Sequence, residues 1–111
     1  ELDEALWQCR YLEPLYKQLS SEIDQINYLM IYANLCERIA DYSETIRLCD
    51  LVINTYTTKD KILEARLLKA DALNKLGMIL DAQKELWLVR DQTSPETLAH
   101  KTAVEKLNRL E

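Results

Sequence analysis

The side chains that most often carry out chemistry are few in this chain. Its 111 residues include three cysteines and one histidine, His100. Cys9, Cys36 and Cys49 form no C-x-x-C pair, and a zinc site would need His100 as its fourth ligand. Each cysteine falls on an apolar stripe of a predicted helix, so we expect three buried thiols that act as small hydrophobic residues. We expect His100 on the polar side of the last helix, in contact with solvent.

Carboxylate pairs and loops give no stronger sign of catalysis. The pairs Asp3/Glu4 and Glu22/Asp24 stand at the starts of predicted helices, where negative charge complements the helix dipole; acid–base catalysis is the alternative role. A chain with one glycine cannot form a glycine-rich phosphate loop, and one histidine leaves no credible Ser-His-Asp arrangement. We therefore predict no enzyme activity, no metal and no cofactor, which leaves recognition of a partner by the surface.

The overall composition indicates an all-α fold. Hydrophobic residues make up 48% of the chain and charged residues 30%, with one Gly and two Pro. All-β domains need many tight turns, and most of those turns need Gly or Pro. The composition therefore favours helices joined by few, short connections. The length is sufficient for one domain with its own hydrophobic core.

Charge and hydropathy limit the class of partner. The net charge is −5, and residues 1–57 hold ten acidic and four basic side chains, a balance that disfavours nucleic acid. The longest uncharged stretch, 25–36, is far shorter than the span of about 20 residues that a membrane helix needs. Three unpaired cysteines are typical of a reducing compartment. We predict a protein or peptide partner, no nucleic acid, no membrane insertion, and a cytoplasmic or nuclear location.

Apolar residues at helical spacing predict about six helices. We place them at about residues 2–19, 22–39, 42–56, 60–76, 79–91 and 95–110. The first apolar stripe continues across Pro14, so we expect that helix to be kinked, or broken just before Pro14. Thr93, Ser94 and Pro95 predict the start of the last helix, with a capping residue followed by Pro at the first position. Because the chain opens with Glu1, we also expect it to be part of a longer protein.

The predicted helix starts repeat along the chain. Leu2-Asp-Glu-Ala5 is matched by Tyr42-Ser-Glu-Thr45 and by Ile79-Leu-Asp-Ala82, and the last two copies lie 37 residues apart. Each copy has a bulky apolar residue, two spacers and a small residue. We expect the small residue where the two helices of one unit cross closely, and the bulky residue in the gap between neighbouring units.

This pattern resembles the tetratricopeptide repeat, a helix–turn–helix unit of about 34 residues. The stretch Ala70-x-x-Leu73-x-x-x-Gly77-x-x-x-x-Ala82-x-x-x-Leu86-x-x-Val89 is similar to the family consensus over one unit, and 29–52 is a looser copy. The chain departs from the family at Arg66, where Trp is usual, and at Ala40 and Thr45, which replace Gly and Ala.

The resemblance implies antiparallel helical hairpins stacked as a solenoid in one domain, 1–111. Two repeats cover about 26–59 and 63–96, with helix 2–19 before them and a closing helix, 95–110, after them. The first helices of such units line a concave groove. The expected groove residues lie on helices 22–39 and 60–76, on the face turned away from the core: Asn27, Met30, Asn34, Glu37, Arg38, Glu64, Leu67, Asp71, Asn74 and Lys75.

These features predict a scaffold or adaptor domain that binds a peptide or helix of a partner in a multiprotein complex. A basic or mixed amphipathic segment suits the charges of the groove best. The alternative is a structural or self-associating module of a larger protein, hence a homo-oligomer, and a regulatory domain that senses a ligand is a third class. Trp7 and Trp87 adjoin the apolar stripes, so they either pack between helices or anchor a partner.

Overall fold

The computed structural model describes residues 1–110, so Glu111 of the predicted domain lies outside the described residues. This range is all-α, as the sequence predicts, and contains six α-helices and one 3₁₀ helix. The α-helices are, in chain order, α1 (Leu2–Leu12), α2 (Glu22–Arg38), α3 (Tyr42–Thr55), α4 (Lys59–Lys75), α5 (Ile79–Asp91) and α6 (Leu98–Arg109). Short connections join successive helices, so that each runs back along its predecessor.

The first helix breaks at the position that the sequence predicts. α1 ends at Leu12, and Glu13–Gln18 continue as a 3₁₀ helix with Pro14 in its first turn. Proline lacks the backbone N–H that a longer α-helix would use, and its ring clashes with the preceding turn. The chain becomes extended at Leu19 before α2 begins. Apolar side chains on both sides of the break can therefore face the same neighbours without a continuous helix.

Side-chain caps explain where several helices begin. The Ser21 hydroxyl accepts a hydrogen bond from the Asp24 backbone N–H at 3.1 Å, which caps α2. The Asp41 carboxylate accepts one from the Glu44 N–H at 3.3 Å, which caps α3. Both residues satisfy backbone donors that the first helical turn leaves free. Both helices begin where the sequence predicts, at residues 22 and 42.

The start predicted for the last helix is wrong. α6 begins at Leu98 rather than at Pro95, and its cap is Thr97, whose hydroxyl accepts from the His100 N–H at 3.2 Å. The Thr97 N–H donates to the Ser94 carbonyl at 3.0 Å, so residues 94–97 form a turn before the helix. Thr93 lies just beyond α5 and contacts the end of that helix, because its hydroxyl donates to the Val89 carbonyl at 2.7 Å. Thr97 can satisfy an N–H of the helix, and this contact outweighs the preference of proline for a first position.

The helices form a two-layered stack. Each packs on the next along the chain, α2 also contacts α4, and α4 also contacts α6. Within residues 1–110, α3 and α5 do not contact each other. In one layer α2 contacts α4 and α4 contacts α6, whereas in the other layer α3 and α5 are separated. The stack therefore curves, with α2, α4 and α6 on its inner side. Two buried apolar clusters hold it together, one around α1, α2 and α3 and one around α4, α5 and α6.

The α2–α3 hairpin and the α4–α5 hairpin close with the same turn. Ala40 has φ +63° and Gly77 has φ +81°, both in the left-handed region. In each turn the following residue donates its N–H five residues back at 2.9 Å, from Asp41 to the Cys36 carbonyl and from Met78 to the Leu73 carbonyl. The two turns lie 37 residues apart, as do the first residues of α2 and α4 and those of α3 and α5. The sequence period is therefore also a structural period.

Candidate partner-binding face

The inner layer of the stack presents a continuous face made by three helices. Two chain reversals separate α2 from α4, and two separate α4 from α6, so these three helices run in the same direction. Their first turns therefore lie along one edge of the inner face and their last turns along the opposite edge. This arrangement determines where each predicted groove residue lies.

On α2, three of the five predicted groove residues are exposed. Asn27, Asn34 and Arg38 all face solvent. The Asn34 side-chain amide donates to the Met30 carbonyl at 2.8 Å, which holds the amide against its own helix. Ile31 lies on the same exposed side and was not predicted as a groove residue. The α2 part of the face thus combines two amides, one cation and one apolar side chain.

Met30 and Glu37 do not line the groove as expected. Met30 is only 5% exposed and belongs to the same buried cluster as Ala65 and Leu68 of α4. Glu37 is half-buried. Both lie on the side of α2 that meets α4, so the contact between neighbouring hairpins covers them. The prediction that Met30 lines the groove is therefore wrong.

Glu64 and Leu67 of α4 line one half of a seam between α4 and α6. There they border a hollow of about 240 Å³ whose floor is apolar and whose rim carries carboxylates. The remaining residues of this hollow are Asp60, Leu63, Leu98, Ala99 and Thr102. Leu98, the first residue of α6, is 80% exposed. The hollow can therefore accept an apolar side chain and, beside it, a cation.

The other half of the seam is closed by an ion pair. The Lys106 ammonium lies 2.9 Å and 3.1 Å from the two carboxylate oxygens of Asp71. Asn74 and Arg109 lie beside this pair around a hollow of about 130 Å³. Asp71 is thus neutralised by α6 and contributes little free negative charge. Asn74 and the exposed Arg109 remain available to a partner.

Charge is divided between the two edges of the inner face. Asp24, Asp60 and Glu64 lie near the first turns of α2 and α4, whereas Arg38 and Lys75 lie in their last turns. Arg109 extends the basic edge onto α6. Helix dipoles favour this distribution, because acidic groups stabilise helix starts and basic groups stabilise helix ends. The acidic edge also carries Lys59 and Lys61, and the Lys61 ammonium lies 3.6 Å from the Glu64 carboxylate. A partner that crosses the face therefore meets mixed charge, which includes the carboxylates of Asp24 and Asp60, on one side and positive charge on the other.

The sequence interpretation missed the wall that α6 contributes. The predicted groove residues lie on helices 22–39 and 60–76 alone, and so Leu98, Lys106 and Arg109 are not among them. A usable signal exists, since Leu98, Thr102, Lys106 and Arg109 recur at helical spacing as the groove residues of α4 do. Which side of the closing helix meets α4 depends on tertiary packing, which the period alone does not determine.

The three cysteines, which were considered first as chemical groups, have a structural role. All three cysteines are free and buried, as predicted. Burial raises the pKa of the Cys36 thiol to about 11 and that of Cys49 to about 12, so both stay protonated at neutral pH. Within residues 1–110, no three His, Cys, Asp or Glu side chains are grouped to hold a metal ion.

His100 is not the solvated residue that the sequence predicts. It is half-buried, and its Nδ1 lies 3.0 Å from the Arg90 carbonyl oxygen and 3.2 Å from the Thr93 hydroxyl. Arg90 is near the end of α5, where helix carbonyls lack partners within the helix. The His100 ring therefore joins the start of α6 to the end of α5.

Arg66, which stands where the repeat family usually has Trp, belongs to an ion network on the other side of α4. Its guanidinium lies 2.9 Å from the Glu85 carboxylate of α5. Lys69 lies 3.4 Å from Glu85 and 2.7 Å from Asp50 of α3. These half-buried charges join α3, α4 and α5 where a tryptophan would fill the space with apolar surface. The network is remote from the inner face and is structural.

Two further contacts fix elements beside the face. The Arg47 guanidinium of α3 bonds both Glu13 carboxylate oxygens, at 2.9 and 3.0 Å, and also bonds Glu44. One Glu22 oxygen accepts hydrogen bonds from the backbone N–H groups of Thr57 and Thr58, both at 3.0 Å, and from their hydroxyls. The first contact secures the 3₁₀ segment on α3, and the second secures the α3–α4 connection on the start of α2.

Comparison of the chain with protein-family models, with curated proteins and with solved structures finds no match. Among the helices of residues 1–110, none is long and apolar enough to span a bilayer.

Proposed function

We propose that this domain is a protein-interaction module, of the tetratricopeptide type, whose inner face binds a segment of a partner protein. The observation that carries the proposal is the hollow between α4 and α6. Its apolar lining, which includes Leu67 and Leu98, lies beside the carboxylates of Asp60 and Glu64. Apolar side chains that are grouped on the surface and rimmed by charged residues mark interaction sites more often than apolar residues that are exposed singly.

The size of the hollow favours a side chain over a small molecule. Sites for metabolites and cofactors usually enclose about 300–1,000 Å³. At about 240 Å³ and open along the seam, this hollow suits one large side chain of a bound segment. A leucine or methionine would fill the floor, and a lysine or arginine next to it would reach Asp60 or Glu64.

The distribution of charge on the inner face sets a second requirement for the partner segment, namely the charges that it must carry. Arg38, Lys75 and Arg109 on the basic edge attract a carboxylate, and the acidic edge attracts a cation. An amphipathic segment with opposite charges on its two sides satisfies both edges and fixes its own orientation. Of the two kinds of segment that the sequence favours, basic or mixed amphipathic, this is the mixed one. The three free cysteines suit a module of a reducing compartment, cytoplasmic or nuclear.

Selection from a displayed library of random peptides tests this proposal without knowledge of the natural partner. The chain is the bait, and the Glu64→Lys variant serves for counter-selection. We expect enriched peptides in which Leu or Met stands beside Lys or Arg. We expect their affinity to fall about 10-fold or more in Glu64→Lys, the equivalent of about 1.4 kcal/mol. Enriched peptides that bind Glu64→Lys and the parent chain equally would contradict the proposal.

Two matched variants sharpen the experiment. Asp81→Lys makes the same charge reversal at an exposed residue of α5, in the other layer, and is expected to bind as the parent chain does. Arg38→Glu combined with Lys75→Glu reverses the basic edge and is expected to weaken binding without loss of helicity. Equal effects of Glu64→Lys and Asp81→Lys would mean that net charge, rather than the hollow, controls binding.

A further inference from the structure

The amino-terminal end of the stack carries a second apolar surface, away from the hollow between α4 and α6. Trp7 is 62% exposed, and its ring stacks on that of Tyr11 at 5.4 Å between centroids. Leu12, Leu15 and Leu19 are also exposed and line a hollow of about 160 Å³ beside the half-buried Tyr28. We call the five exposed residues, Trp7, Tyr11, Leu12, Leu15 and Leu19, the amino-terminal patch.

The carboxy-terminal end of the stack, formed by α6, has a different surface. The outward side of α6 presents Lys101, Glu105 and Asn108, all exposed and polar. Terminal units of helical stacks need such a polar outer side to remain soluble. The outward side of α1 is mixed instead, because the apolar rings of Trp7 and Tyr11 are exposed there beside Glu4 and Gln8. A head-to-tail contact between copies would place these rings against the polar side of α6. If copies associate, they meet through two amino-terminal ends.

The area of the patch matches one side of a stable dimer. Five large side chains of about 200 Å² each, about half exposed, present on the order of 500 Å² of apolar surface. A standard interface buries about 800 Å² on each partner, of which little more than half is apolar. The patch also contains Trp and Tyr, which dominate binding energy in interfaces.

The charges around the patch complement themselves under a two-fold rotation. Asp3 and Glu4 lie in the first turn of α1, and Arg10 lies in its last turn. Lys17 follows in the last turn of the 3₁₀ segment. When two copies of α1 pack antiparallel, the acidic start of each lies opposite the basic end of the other. The same packing also sets the two helix dipoles antiparallel, which is favourable.

We propose that two copies of this chain associate through their amino-terminal patches, about a two-fold axis, with the two α1 helices antiparallel. Such an isologous contact closes on itself and leaves the inner face of each copy free. The dimer would present two partner-binding faces, so that a partner with two copies of the segment binds with added avidity. This association is separate from the proposed binding of a segment and can fail while that binding holds.

Sedimentation equilibrium of the chain over a range of concentrations tests the proposal. We expect a mass that rises from the 13.0 kDa of one chain to twice that value. Leu15→Glu and Trp7→Gln, two exposed positions of the patch, are expected to raise the dissociation constant at least about 10-fold. Leu80→Glu is the matched control, because Leu80 of α5 is 72% exposed but lies outside the patch, and it is expected to leave the constant unchanged.

A charge exchange provides a test that does not depend on apolar substitutions. Glu4→Lys and Lys17→Glu alone each place like charges opposite one another and weaken the dimer, whereas the double variant restores it. Circular dichroism checks that each variant is folded. If Leu15→Glu or Trp7→Gln unfolds the chain, the charge exchange provides the test instead. A parent chain that remains a monomer at all concentrations would overturn the proposal, as would equal effects of Leu15→Glu and Leu80→Glu.

Discussion

Ala40 and Gly77 occupy the same position in two successive helical hairpins, 37 residues apart, and both have a left-handed backbone. Gly77 adopts φ +81° without a steric cost, because glycine has no Cβ. Ala40 adopts φ +63° against the preference of its own side chain. One hairpin therefore has the residue that its turn requires, and the other is strained at the equivalent place.

Replacement of Ala40 by glycine is expected to stabilise the domain. A left-handed alanine costs about 1–2 kcal/mol, and the extra freedom of glycine in the unfolded chain cancels roughly 0.5–1 kcal/mol of the gain. We expect Ala40→Gly to raise the free energy of unfolding by about 0.5 kcal/mol or more, measured by urea denaturation followed by circular dichroism.

The reverse change at Gly77 is the control. A Cβ added at Gly77 meets no atom within 4 Å, so Gly77→Ala tests the backbone alone. It is expected to destabilise the domain by about 1 kcal/mol. Effects of the same sign at the two positions would contradict the account of the turns.

Because Glu85 holds an ion network together, replacing its carboxylate by an amide is expected to lower the stability of the domain substantially. Glu85→Gln keeps the shape of the side chain but leaves the half-buried cations of Arg66 and Lys69 without their shared carboxylate. Removal of one partner from such a group is expensive, because the remaining charge stays desolvated. We expect a loss of about 2 kcal/mol in the free energy of unfolding, measured by thermal or urea denaturation.

A surface pair provides the comparison for this network. Asp91 is 65% exposed and bonds Arg90 at 3.0 Å, so Asp91→Asn is expected to change stability by less than about 0.5 kcal/mol. If both substitutions produced the same small change, the Glu85 network would contribute no more than an exposed ion pair.

The contact of Glu22 with the α3–α4 connection predicts a pH dependence. Hydrogen bonds from the Thr58 hydroxyl and then from the Thr57 N–H lower the pKa of the Glu22 carboxyl. A lowered pKa in the folded state means that ionised Glu22 stabilises the fold above its unfolded pKa. That contribution is lost below about pH 4, as the pH falls through the lowered value.

The Glu22→Gln variant tests this dependence. We expect its urea midpoint to be lower than that of the parent chain at pH 7, because the amide accepts weaker hydrogen bonds than the carboxylate. The difference is expected to stay constant from pH 7 to about pH 5 and to narrow only at lower pH, as Glu22 takes up a proton. A difference that is independent of pH would show that the charge of Glu22 does not take part.

The buried thiols are expected to resist modification in the folded domain. Burial raises the pKa of Cys9 as well as those of Cys36 and Cys49, so little reactive thiolate is present at pH 8. A chromogenic disulfide reagent is expected to react far more slowly with the folded chain than with the chain in denaturant, where all three thiols react. Rapid reaction of a thiol in the folded chain would contradict its burial.

Much of the fold follows from local signals in the sequence. Ser21 and Asp41 identify helix starts, Gly77 identifies a helix end, and Pro14 identifies the break in the first helix. Each signal acts within a few residues of the chain, through a missing N–H, a capping oxygen or a permitted φ. Such signals do not depend on how the helices later pack.

The candidate site depends more on tertiary packing, and sequence reasoning is weaker there. Met30 and Asn34 lie one turn apart on α2, yet the first is buried and the second is exposed. The difference arises from where α4 crosses α2, which helical periodicity does not specify. Leu98 was missed for the same reason, because its role depends on which side of α6 meets α4. His100 is a further case, since it is half-buried because its ring meets the end of the preceding helix at the Arg90 carbonyl.

Amide chemical shifts of the labelled chain, recorded as a selected peptide with adjacent Leu and Lys is added, test the central claim most directly. Binding at the inner face is expected to shift amides of α2, α4 and α6, most strongly around Glu64, Leu67 and Leu98. Amides on the outward sides of α3 and α5 are expected to keep their positions. Shifts concentrated on α3 and α5, with none along the seam between α4 and α6, would contradict the claim.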